Sequence, residues 1–296
     1  MSHEPPPPRP KAMIDAFEPH REFLVRLAYR MLGSVAEAED IVQDAFLRWS
    51  NVEQSAVEHP RAYLARVVSR LCLDRMKSAV ARRETYVGTW LPEPMVTPVG
   101  ETLADDLSVA LLLTLERLSP LERAAFLLHD VFDMDYAQIA ETLERSEVAC
   151  RQLVARAREH VRTERPRFAA NDAARDKLVD AFKHAAATGN VEVLAQILAD
   201  DAVFYQDGGG KRRAVPKPIH GKAKIVRFFE GALRHRAEKR GDAPESIELE
   251  RVQINGLPGF VVHTEDGPET LALEIAGDHI VAVYAIRNPE KLRHLS

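Results

Sequence analysis

The feature that most constrains the fold is an apolar stripe at helical spacing that runs from residue 13 to about residue 81 while the charge of the polar positions changes sign. Between Ser34 and Glu58 the chain has six acidic side chains and one basic one. Between Pro60 and Arg83 it has seven basic side chains and one acidic one. Such a chain folds into amphipathic helices with an acidic surface followed by a basic one. The first surface suits a basic protein partner and the second a polyanion.

Three helices are predicted in this first domain, residues 13–83. Gly33 ends the first helix, and the second buries an apolar face that finishes at Trp49. Pro60 begins the third helix, because proline at the first helical position loses no hydrogen bond. The proline-rich residues 1–12 predict a disordered tail before the domain.

Residues 84–106 are predicted to be a linker. They include three prolines and two glycines and show no apolar period. Tyr86, Trp90 and Leu91 are costly to leave in water. We therefore expect the linker to lie against the surface of a domain.

A helix-turn-helix is predicted within the next domain, residues 107–167. Ser119 begins one capping-box pattern and Asp135 begins a similar one. Ser146 then begins another helix after a short turn, which is the arrangement of a DNA-binding helix pair. Donors near the start of such a helix suit base edges, and later arginines suit phosphates. The base-reading residues would be Arg151 and Gln152, and the phosphate-binding residues Arg156 and Arg158.

A second interpretation of this helix stays open. A solvated basic helix that binds no DNA would show the same charges. The turn before it also departs from the common pattern, because Glu144 occupies a position where glycine is frequent. The helix that begins at Pro60 allows the same two interpretations, although the acidic helix before it favours a functional surface.

Residues 168–296 have a mixed pattern that predicts an α+β domain. Helical segments at 178–187 and after Gly221 accompany strand-like runs, with Asn255-Gly256 and Gly277-Asp278 as turn signals. Two or three helices on a curved antiparallel sheet would explain this order. The predicted strands are residues 202–205, 246–254, 259–264, 270–276 and 279–287.

Composition excludes several classes of protein. Two isolated cysteines, Cys72 and Cys150, predict reduced core thiols and no disulfide framework. No apolar run approaches the roughly 18 residues of a membrane span, and the N-terminus lacks the apolar core of a signal peptide. We expect a cytoplasmic protein that has no membrane contact and needs neither a metal nor a cofactor.

Several segments resemble a known family. AEDIVQDAFLRW (38–49) and PRAYLARVVSRLCLDRMKS (60–78) resemble region 2 of bacterial extracytoplasmic-function (ECF) sigma factors, which belong to the sigma-70 family, and residues 118–159 resemble region 4. Three further strings are similar to motifs of the subgroup with a fused SnoaL-like C-terminal domain. They are WLPEP (90–94), DGGGK (207–211) and NPEKL (288–292), the last with Glu290 where the subgroup usually has aspartate.

The resemblance implies an alternative sigma factor, which is not an enzyme but binds core RNA polymerase and directs promoter-specific initiation. Region 2 would dock on the polymerase through Asp40, Gln43, Asp44 and Arg48. The 50–59 loop and the basic side chains of the third helix would hold the −10 element as single-stranded DNA. These side chains are Arg61, Arg66, Arg70, Arg75 and Lys77. Region 4 would bind a duplex −35 element, with TGTC as the implied sequence, through Ser146, Arg151, Gln152, Arg156 and Arg158.

The resemblance also implies that residues 168–296 form a cone-shaped barrel of the SnoaL and ketosteroid-isomerase type. We expect this domain to control the sigma regions in cis, without a separate anti-sigma factor and with 288–296 as a latch. An unknown small ligand in its cavity could bias that control. The regulatory interface would consist of Trp90, Leu91, Pro92, Glu93, Pro94, Asp207, Gly208, Gly209, Gly210, Lys211, Asn288, Pro289, Glu290, Lys291 and Leu292.

Two other functions stay open. One is a helix-turn-helix repressor that never contacts polymerase. The other is a bifunctional protein whose C-terminal domain binds or converts a small ligand, which would need a carboxylate or histidine inside the cone as a general base. Asp207 lies roughly where isomerase relatives have theirs, but the glycines after it favour structural use. Three other candidates lie on predicted strands: His263, Glu274 and Tyr284. Each could act on a ligand only if its side chain points into the cavity of the cone.

Overall fold

The structure, a computed structural model, describes residues 10–53, 56–84, 86–100, 109–163, 172–240 and 248–295. Residues 1–9 of the expected tail, residues 101–106 of the linker and the expected boundary at 167/168 lie outside the described residues. Among the residues described, no helix is both long and apolar enough to cross a membrane.

The three helices predicted for the first domain are present. They are α1 (Pro10–Leu32), α2 (Val35–Trp49) and α3 (Pro60–Glu84). Gly33 follows α1 with a φ of 71°, a conformation that ends a helix and suits glycine. Ser34 then caps α2 by accepting a hydrogen bond from the Glu37 backbone N–H at 3.3 Å. The predicted stripe is buried and includes Leu24, Leu27, Met31, Ile41, Val42, Trp49, Leu64, Val68 and Cys72.

The next region is also helical, as predicted. It consists of α4 (Val109–Glu116), α5 (Pro120–Phe126), α6 (Tyr136–Leu143) and α7 (Glu147–Thr163). Both capping boxes form, at Ser119 and at Asp135. A π-helical turn, Leu127–Val131, extends α5 and was not predicted. Glu144 ends α6 in a left-handed conformation (φ 55°, ψ 48°), so the tight turn forms without glycine.

The chain forms two compact units. The first consists of Met1–Arg82 and Thr114–Thr163, and the second of Arg83–Leu113 and Glu164–Ser296. Arg123 connects the two segments of the first unit. Its buried guanidinium donates to the carbonyl oxygens of Met31 in α1 and Leu115 in α4 at 2.7 Å each. Burial lowers the pKa of Arg123 to about 9, and Glu116 pairs with it at 2.7 Å.

The second unit contains the predicted α+β domain. Its helices are α8 (Asp172–Thr188), α9 (Val191–Ile197) and α10 (Lys222–Arg240). Its strands are β1 (Val96–Thr97), β2 (Leu198–Asp207), β3 (Ile219–His220), β4 (Leu249–Ile254), β5 (Leu257–Thr264), β6 (Gly267–Ala276) and β7 (His279–Ile286). They form one sheet in the order β1-β4-β5-β6-β7-β2-β3.

The sheet differs from the prediction in two respects. It is mixed and not antiparallel throughout, because β2 and β7 pair in parallel. The long chain between these strands supplies the crossover that parallel neighbours need. The strands β1 and β3 were not predicted, since two residues are too few to show an alternating pattern.

Both faces of this sheet are covered. One face packs against α8, α9 and α10, and here Phe182 stacks on Phe260 with ring centroids 6.0 Å apart. The opposite face packs against Leu91 of the linker, Val109 of α4 and Leu292 near the C-terminus. The linker prediction is therefore confirmed at Leu91, which is fully buried. We call these two surfaces the helix face and the linker face of the sheet.

Candidate promoter-binding surfaces and the linker site

The polar side of α2 is an exposed acidic surface. Its predicted polymerase-binding residues Asp40, Gln43, Asp44 and Arg48 are all exposed. Leu47 lies among them with 54% of its surface accessible, although the other large apolar residues of the helix are at least half-buried. The patch therefore combines carboxylates with one large apolar side chain that is more than half exposed.

Two of the arginines predicted to bind the −10 element contact the helix-turn-helix in this structure. Arg66 forms an ion pair with Glu141 of α6. Arg70 donates to the backbone oxygens of Glu141 at 3.0 Å and Thr142 at 3.2 Å, and its guanidinium lies 3.0 Å from the Glu144 carboxylate. The end of α6 thus occupies the donors that a DNA phosphate would need. We call this the turn contact.

The other predicted −10 residues of α3 lie apart from the turn contact. The guanidinium of Arg61 lies over the ring of Phe23, 4.3 Å from its centroid. Arg75 lies 3.9 Å from Glu37, and Lys77 pairs with Asp74 at 2.7 Å, which holds the pKa of that carboxyl below its usual range. Arg61 and Lys77 are exposed, so α3 presents basic side chains to solvent.

The predicted base-reading residues lie exposed at the start of α7. Ser146 accepts a hydrogen bond from the Ala149 backbone N–H at 3.2 Å, so its hydroxyl caps the helix. Arg151 is held between two neighbours: its guanidinium lies 4.3 Å from the ring centroid of Tyr136, and it donates to Glu147 at 3.2 Å. Gln152 is exposed beside it.

The predicted phosphate-binding residues of α7 are anchored by carboxylates of α5 and the π-helical turn. Arg156 pairs with Glu122 at 2.8 Å, and Arg158 donates to both oxygens of Asp130, at 2.8 Å and 2.5 Å. Burial alone would raise the pKa of Asp130 and Glu122, but hydrogen bonds from these arginines and from Ser119 outweigh it and leave both pKa values lowered. Both arginines remain more than half exposed, so they are oriented without being hidden.

In the second unit, the three motif strings meet at one buried carboxylate, Asp207 at the end of β2. It is fully buried and accepts hydrogen bonds from the Tyr86 hydroxyl at 2.6 Å, the Leu91 backbone N–H at 2.9 Å, the Gly209 backbone N–H at 3.0 Å and the Lys291 ammonium at 2.8 Å. Burial raises the pKa of Tyr86 and the hydrogen bond to Asp207 adds to the effect, so this hydroxyl stays a neutral donor. We call this arrangement the linker site.

Lys291 connects the C-terminal string to the linker. Its ammonium lies 4.3 Å from the ring centroid of Trp90 and 5.1 Å from that of Tyr86, and it also donates to the Leu91 carbonyl oxygen. Asn288 donates to the Tyr86 hydroxyl at 2.9 Å. Lys211 and Glu290 form an ion pair at the exposed edge, so the glutamate of the NPEKL string has a cationic partner.

The glycines of the DGGGK string are required by close approach. At Gly208 a Cβ atom would lie 2.3 Å from the Arg212 carbonyl oxygen. Gly209 has a φ of 60° and a Cβ there would lie 2.2 Å from Asn288 Nδ2, while Gly210, with a φ of 70°, faces Val87. The expected tight turn and close backbone approach are therefore present.

The remaining interface residues continue the linker site along the sheet. Pro92, Glu93 and Pro94 are buried, and the Glu93 carboxylate lies 3.7 Å from His294. Asn255 accepts a hydrogen bond from the Met95 backbone N–H at 2.8 Å where β1 joins β4. Sequence reasoning missed Asn255 as a partner of the linker and took it as a turn signal. It also left Tyr86 out of the interface, although its size indicated a buried position.

The candidate residues for ligand conversion, which are Asp207, Glu274, Tyr284 and His263, each have a partner in the structure. Asp207 faces the linker, and its side-chain oxygens already accept the four hydrogen bonds given above. Glu274 and Tyr284 lie on the linker face as well, where the Tyr284 hydroxyl donates to Glu274 at 2.5 Å. His263 is exposed and lies 3.7 Å from Glu250. The helix face is lined by aromatic rings such as Phe204 and Phe228, whose centroids are 5.1 Å apart.

Comparison with known proteins agrees with this organisation. The Sigma-70 region 2 family matches residues 16–82, and Sigma-70, region 4 matches residues 108–161. The ECF RNA polymerase sigma factor SigJ of Mycobacterium tuberculosis (strain ATCC 25618 / H37Rv) is 38% identical over 291 residues, which cover 94% of this chain and 92% of SigJ. The probable ECF RNA polymerase sigma factor SigI of Mycobacterium tuberculosis (strain CDC 1551 / Oshkosh) is 38% identical over 190 residues, 62% of this chain and 66% of SigI.

A solved structure extends the likeness to the fold. The crystal structure of the Mycobacterium tuberculosis extracytoplasmic function sigma factor SigJ matches with a TM-score of 0.75 and 34% identity, covering 95% of this chain and 98% of that one. The match includes the C-terminal α+β domain, since it extends over almost the whole of both chains. The chain therefore belongs to the ECF sigma factors of the sigma-70 family and has a fused C-terminal domain.

Proposed function

We propose that this chain binds core RNA polymerase, directs initiation at promoters with −10 and −35 elements, and is controlled in cis by its C-terminal domain. The observation that carries the proposal is the 38% identity with an ECF RNA polymerase sigma factor over 94% of the chain. The charges and contacts of the described residues support a part for each region.

The acidic face of α2 is the proposed polymerase-docking surface. Its exposed carboxylates, Asp40 and Asp44, would steer it to a basic surface, and Leu47 would supply the apolar contact that such an interface needs at its centre. Leu47 is more than half exposed in this charged face. Binding to polymerase would bury the rest of its side chain.

The arginine face of α3 and the start of α7 are the proposed DNA surfaces. Arg61, Arg66, Arg70, Arg75 and Lys77 would hold single-stranded −10 DNA, and the exposed donors of α7 would read the −35 duplex. The turn contact occupies Arg66 and Arg70. We infer that it is a closed arrangement that must open before these two arginines bind the −10 element.

The linker site is the proposed means of control. It fastens Tyr86 and Leu91 of the linker to the sheet, and Val109 at the start of α4 packs on the same linker face. The connection between regions 2 and 4 is thereby held at both ends. Holding it limits how far the two regions can separate, and a tethered pair binds two promoter elements best when its reach matches their spacing.

The proposal gives Asp207 no catalytic part. A general base needs a free lone pair directed at a substrate, whereas this carboxylate is saturated by the linker and Lys291. Loss of the carboxylate is expected to change promoter output and stability.

The test is run-off transcription by core RNA polymerase with the full chain, on promoters that carry the implied elements. Promoter-dependent transcripts are expected with the full chain and none with core alone. If neither transcripts nor binding to core polymerase are obtained, the sigma function is wrong and a DNA-binding repressor takes its place.

Control in cis is tested in the same assay with residues 288–296 deleted. The deletion removes Asn288 and Lys291, so the linker loses part of its anchor, and transcript yield is expected to rise. Lys291→Met tests the same point with a single substitution, and Glu290→Asp, which keeps the charge, is the matched control. Unchanged yield from both the deletion and Lys291→Met would contradict the latch.

A further inference from the structure

Val148 is a mostly exposed apolar residue of the helix-turn-helix. It is the second residue of α7 and 65% of its surface is accessible. The apolar side of α7 is buried elsewhere, at Cys150, Leu153, Val154 and Ala157. A β-branched residue in the first turn of an exposed helix face also gains nothing in helix propensity.

Val148 lies on the same face as the two predicted base-reading residues. Arg151 and Gln152 follow it by three and four positions, which places all three side chains side by side on an α-helix. Arg151 is fixed next to it by Tyr136 and Glu147. Arg156 and Arg158 follow along the helix, each more than half exposed and paired with a carboxylate, so they can still contact a polyanion.

The chemistry of this face is matched by the edges of base pairs in a major groove. Arginine reads guanine and glutamine reads adenine through paired hydrogen bonds, while the methyl group of thymine is read by contact with an apolar group of a side chain. The face therefore carries a hydrogen-bonding pair and one apolar contact within a single helical turn and a half.

We propose that Val148 reads the 5-methyl group of a thymine in the −35 element, adjacent to the bases read by Arg151 and Gln152. This inference rests on the proposed function, in which α7 enters the major groove of promoter DNA. Val148 is then a specificity-determining residue of the promoter interaction.

The experiment uses holoenzyme assembled from the full chain and core RNA polymerase. Each thymine of the −35 element in the run-off promoter is replaced by uracil, one at a time, which removes one methyl group and leaves the base pairing intact. At one position the wild-type holoenzyme should lose affinity about fourfold, which corresponds to one methyl group returned to water. The Val148→Ala holoenzyme should bind the thymine promoter about fourfold more weakly and be indifferent to uracil at that position.

Two variants serve as controls. Val99→Ala truncates a comparably exposed valine outside α7, with 56% of its surface accessible, and should leave both affinities unchanged. Arg151→Ala should weaken promoter binding in a base-dependent manner, which tests the placement of α7 in the groove. The unfolding temperature of Val148→Ala should equal or slightly exceed that of wild type, because the side chain is mostly exposed and alanine has the higher helix propensity.

The outcomes separate this inference from the proposed function. If Arg151→Ala weakens binding but every uracil substitution is neutral, or if Val148→Ala keeps its sensitivity to uracil, the thymine contact is wrong and the sigma function stands. If Val148→Ala weakens assembly with core polymerase instead, the exposed valine is a protein contact. If neither variant affects promoter binding, the placement of α7 on DNA fails as well.

Discussion

Two charged contacts in this chain resemble each other in chemistry and differ in burial. At the linker site, Asp207 is fully buried, and Lys291 is 13% exposed at its side chain. At the turn contact, Arg70 is 42% exposed and its partner Glu144 is 72% exposed. Both contacts join segments that are far apart in sequence, yet one lies in a low dielectric and the other lies in water.

This difference decides which contact can exchange partners. A buried carboxylate with four donors is held firmly, because breaking the set leaves a charge without water or a partner. A half-exposed arginine loses little when it changes one anion for another, since water screens and replaces both. The linker site is therefore the contact that costs more free energy to open, and the turn contact is the one that DNA can displace more easily.

Among the variants that test the difference between the two contacts, Asp207→Ala should change stability most. The substitution leaves the Lys291 ammonium buried without its carboxylate, and we expect the second unit to lose roughly 3–5 kcal/mol. Trp90 lies in this unit and Trp49 in the first, and they are the two tryptophans of the chain. Urea unfolding followed by fluorescence in a Trp49→Phe background therefore reports the second unit.

A matched control lies on the same strand. Asp200 also pairs with a lysine, Lys222, at 2.6 Å, but its side chain is 93% exposed. Asp200→Ala should leave the unfolding curve unchanged. Equal losses from the two substitutions would show that burial is not what distinguishes the contacts.

The glycine loop tests how tightly the linker site is packed. Gly209→Ala adds a Cβ atom that would meet Asn288, in addition to the strain of a φ of 60°. We expect a loss of about 2–4 kcal/mol in the same unfolding measurement. Gly277→Ala is the matched control, since its φ is 59° and nothing lies within 4 Å of the added atom. That variant should lose about 1 kcal/mol, and equal losses would mean that strain and not packing is measured.

Glu274 is a second buried carboxylate of the second unit, and it should make the free energy of unfolding depend on pH. Burial raises the pKa of Glu274, against a hydrogen bond from Tyr284 that opposes the shift. A raised folded-state pKa stabilises the protonated form, so its contribution is complete below the ordinary glutamate pKa and is lost as pH rises through the folded-state pKa. Glu274→Gln stays neutral, and its free energy of unfolding should therefore exceed that of wild type at neutral pH and match it in acid. Parallel pH profiles would contradict this.

The turn contact should give the smallest change in stability. Glu141→Gln with Glu144→Gln removes two exposed partners of Arg66 and Arg70, and we expect the first unit to lose less than about 1 kcal/mol, with the loss reduced by salt. Binding of the full chain to a single-stranded −10 oligonucleotide should strengthen, because the competing carboxylates are absent. Glu18→Gln with Glu22→Gln removes the same charge from α1 and should leave oligonucleotide affinity unchanged. An equal gain in the control would assign the effect to net charge.

Local features of this fold could be predicted from the sequence. The buried stripes of α1 to α3, the capping boxes at Ser119 and Asp135, and the turn at Asn255-Gly256 each depend on residues within a few positions of one another. Their physical cause is local, so the pattern is visible in one segment. The charge of α2 and α3 likewise indicated which faces are exposed.

The family resemblance placed WLPEP, DGGGK and NPEKL in one interface, but the individual long-range contacts had no local signal. Asp207 accepts from Tyr86, 121 residues away, and Arg70 donates to Thr142, 72 residues away. Nothing in either segment specifies the other, because a tyrosine hydroxyl or an arginine can donate to many acceptor oxygens. The parallel pairing of β2 with β7 was missed for the same reason, and the π-helical turn after α5 has no pattern that distinguishes it from an α-helix. Whether the predicted site residues bind polymerase and DNA stays a prediction.

The left-handed conformation of Glu144 has a consequence for how this sequence can change. A glycine there would relieve backbone strain of about 1 kcal/mol and favour a rigid helix-turn-helix. The same change would delete the carboxylate that contacts Arg70. The backbone conformation at this position favours glycine, whereas the contact with Arg70 requires glutamate. A residue with two conflicting requirements is locally frustrated. Glu144→Gly would therefore stabilise the helix-turn-helix and weaken its contact with Arg70 of α3. Glutamate at this position keeps the contact and accepts the backbone strain.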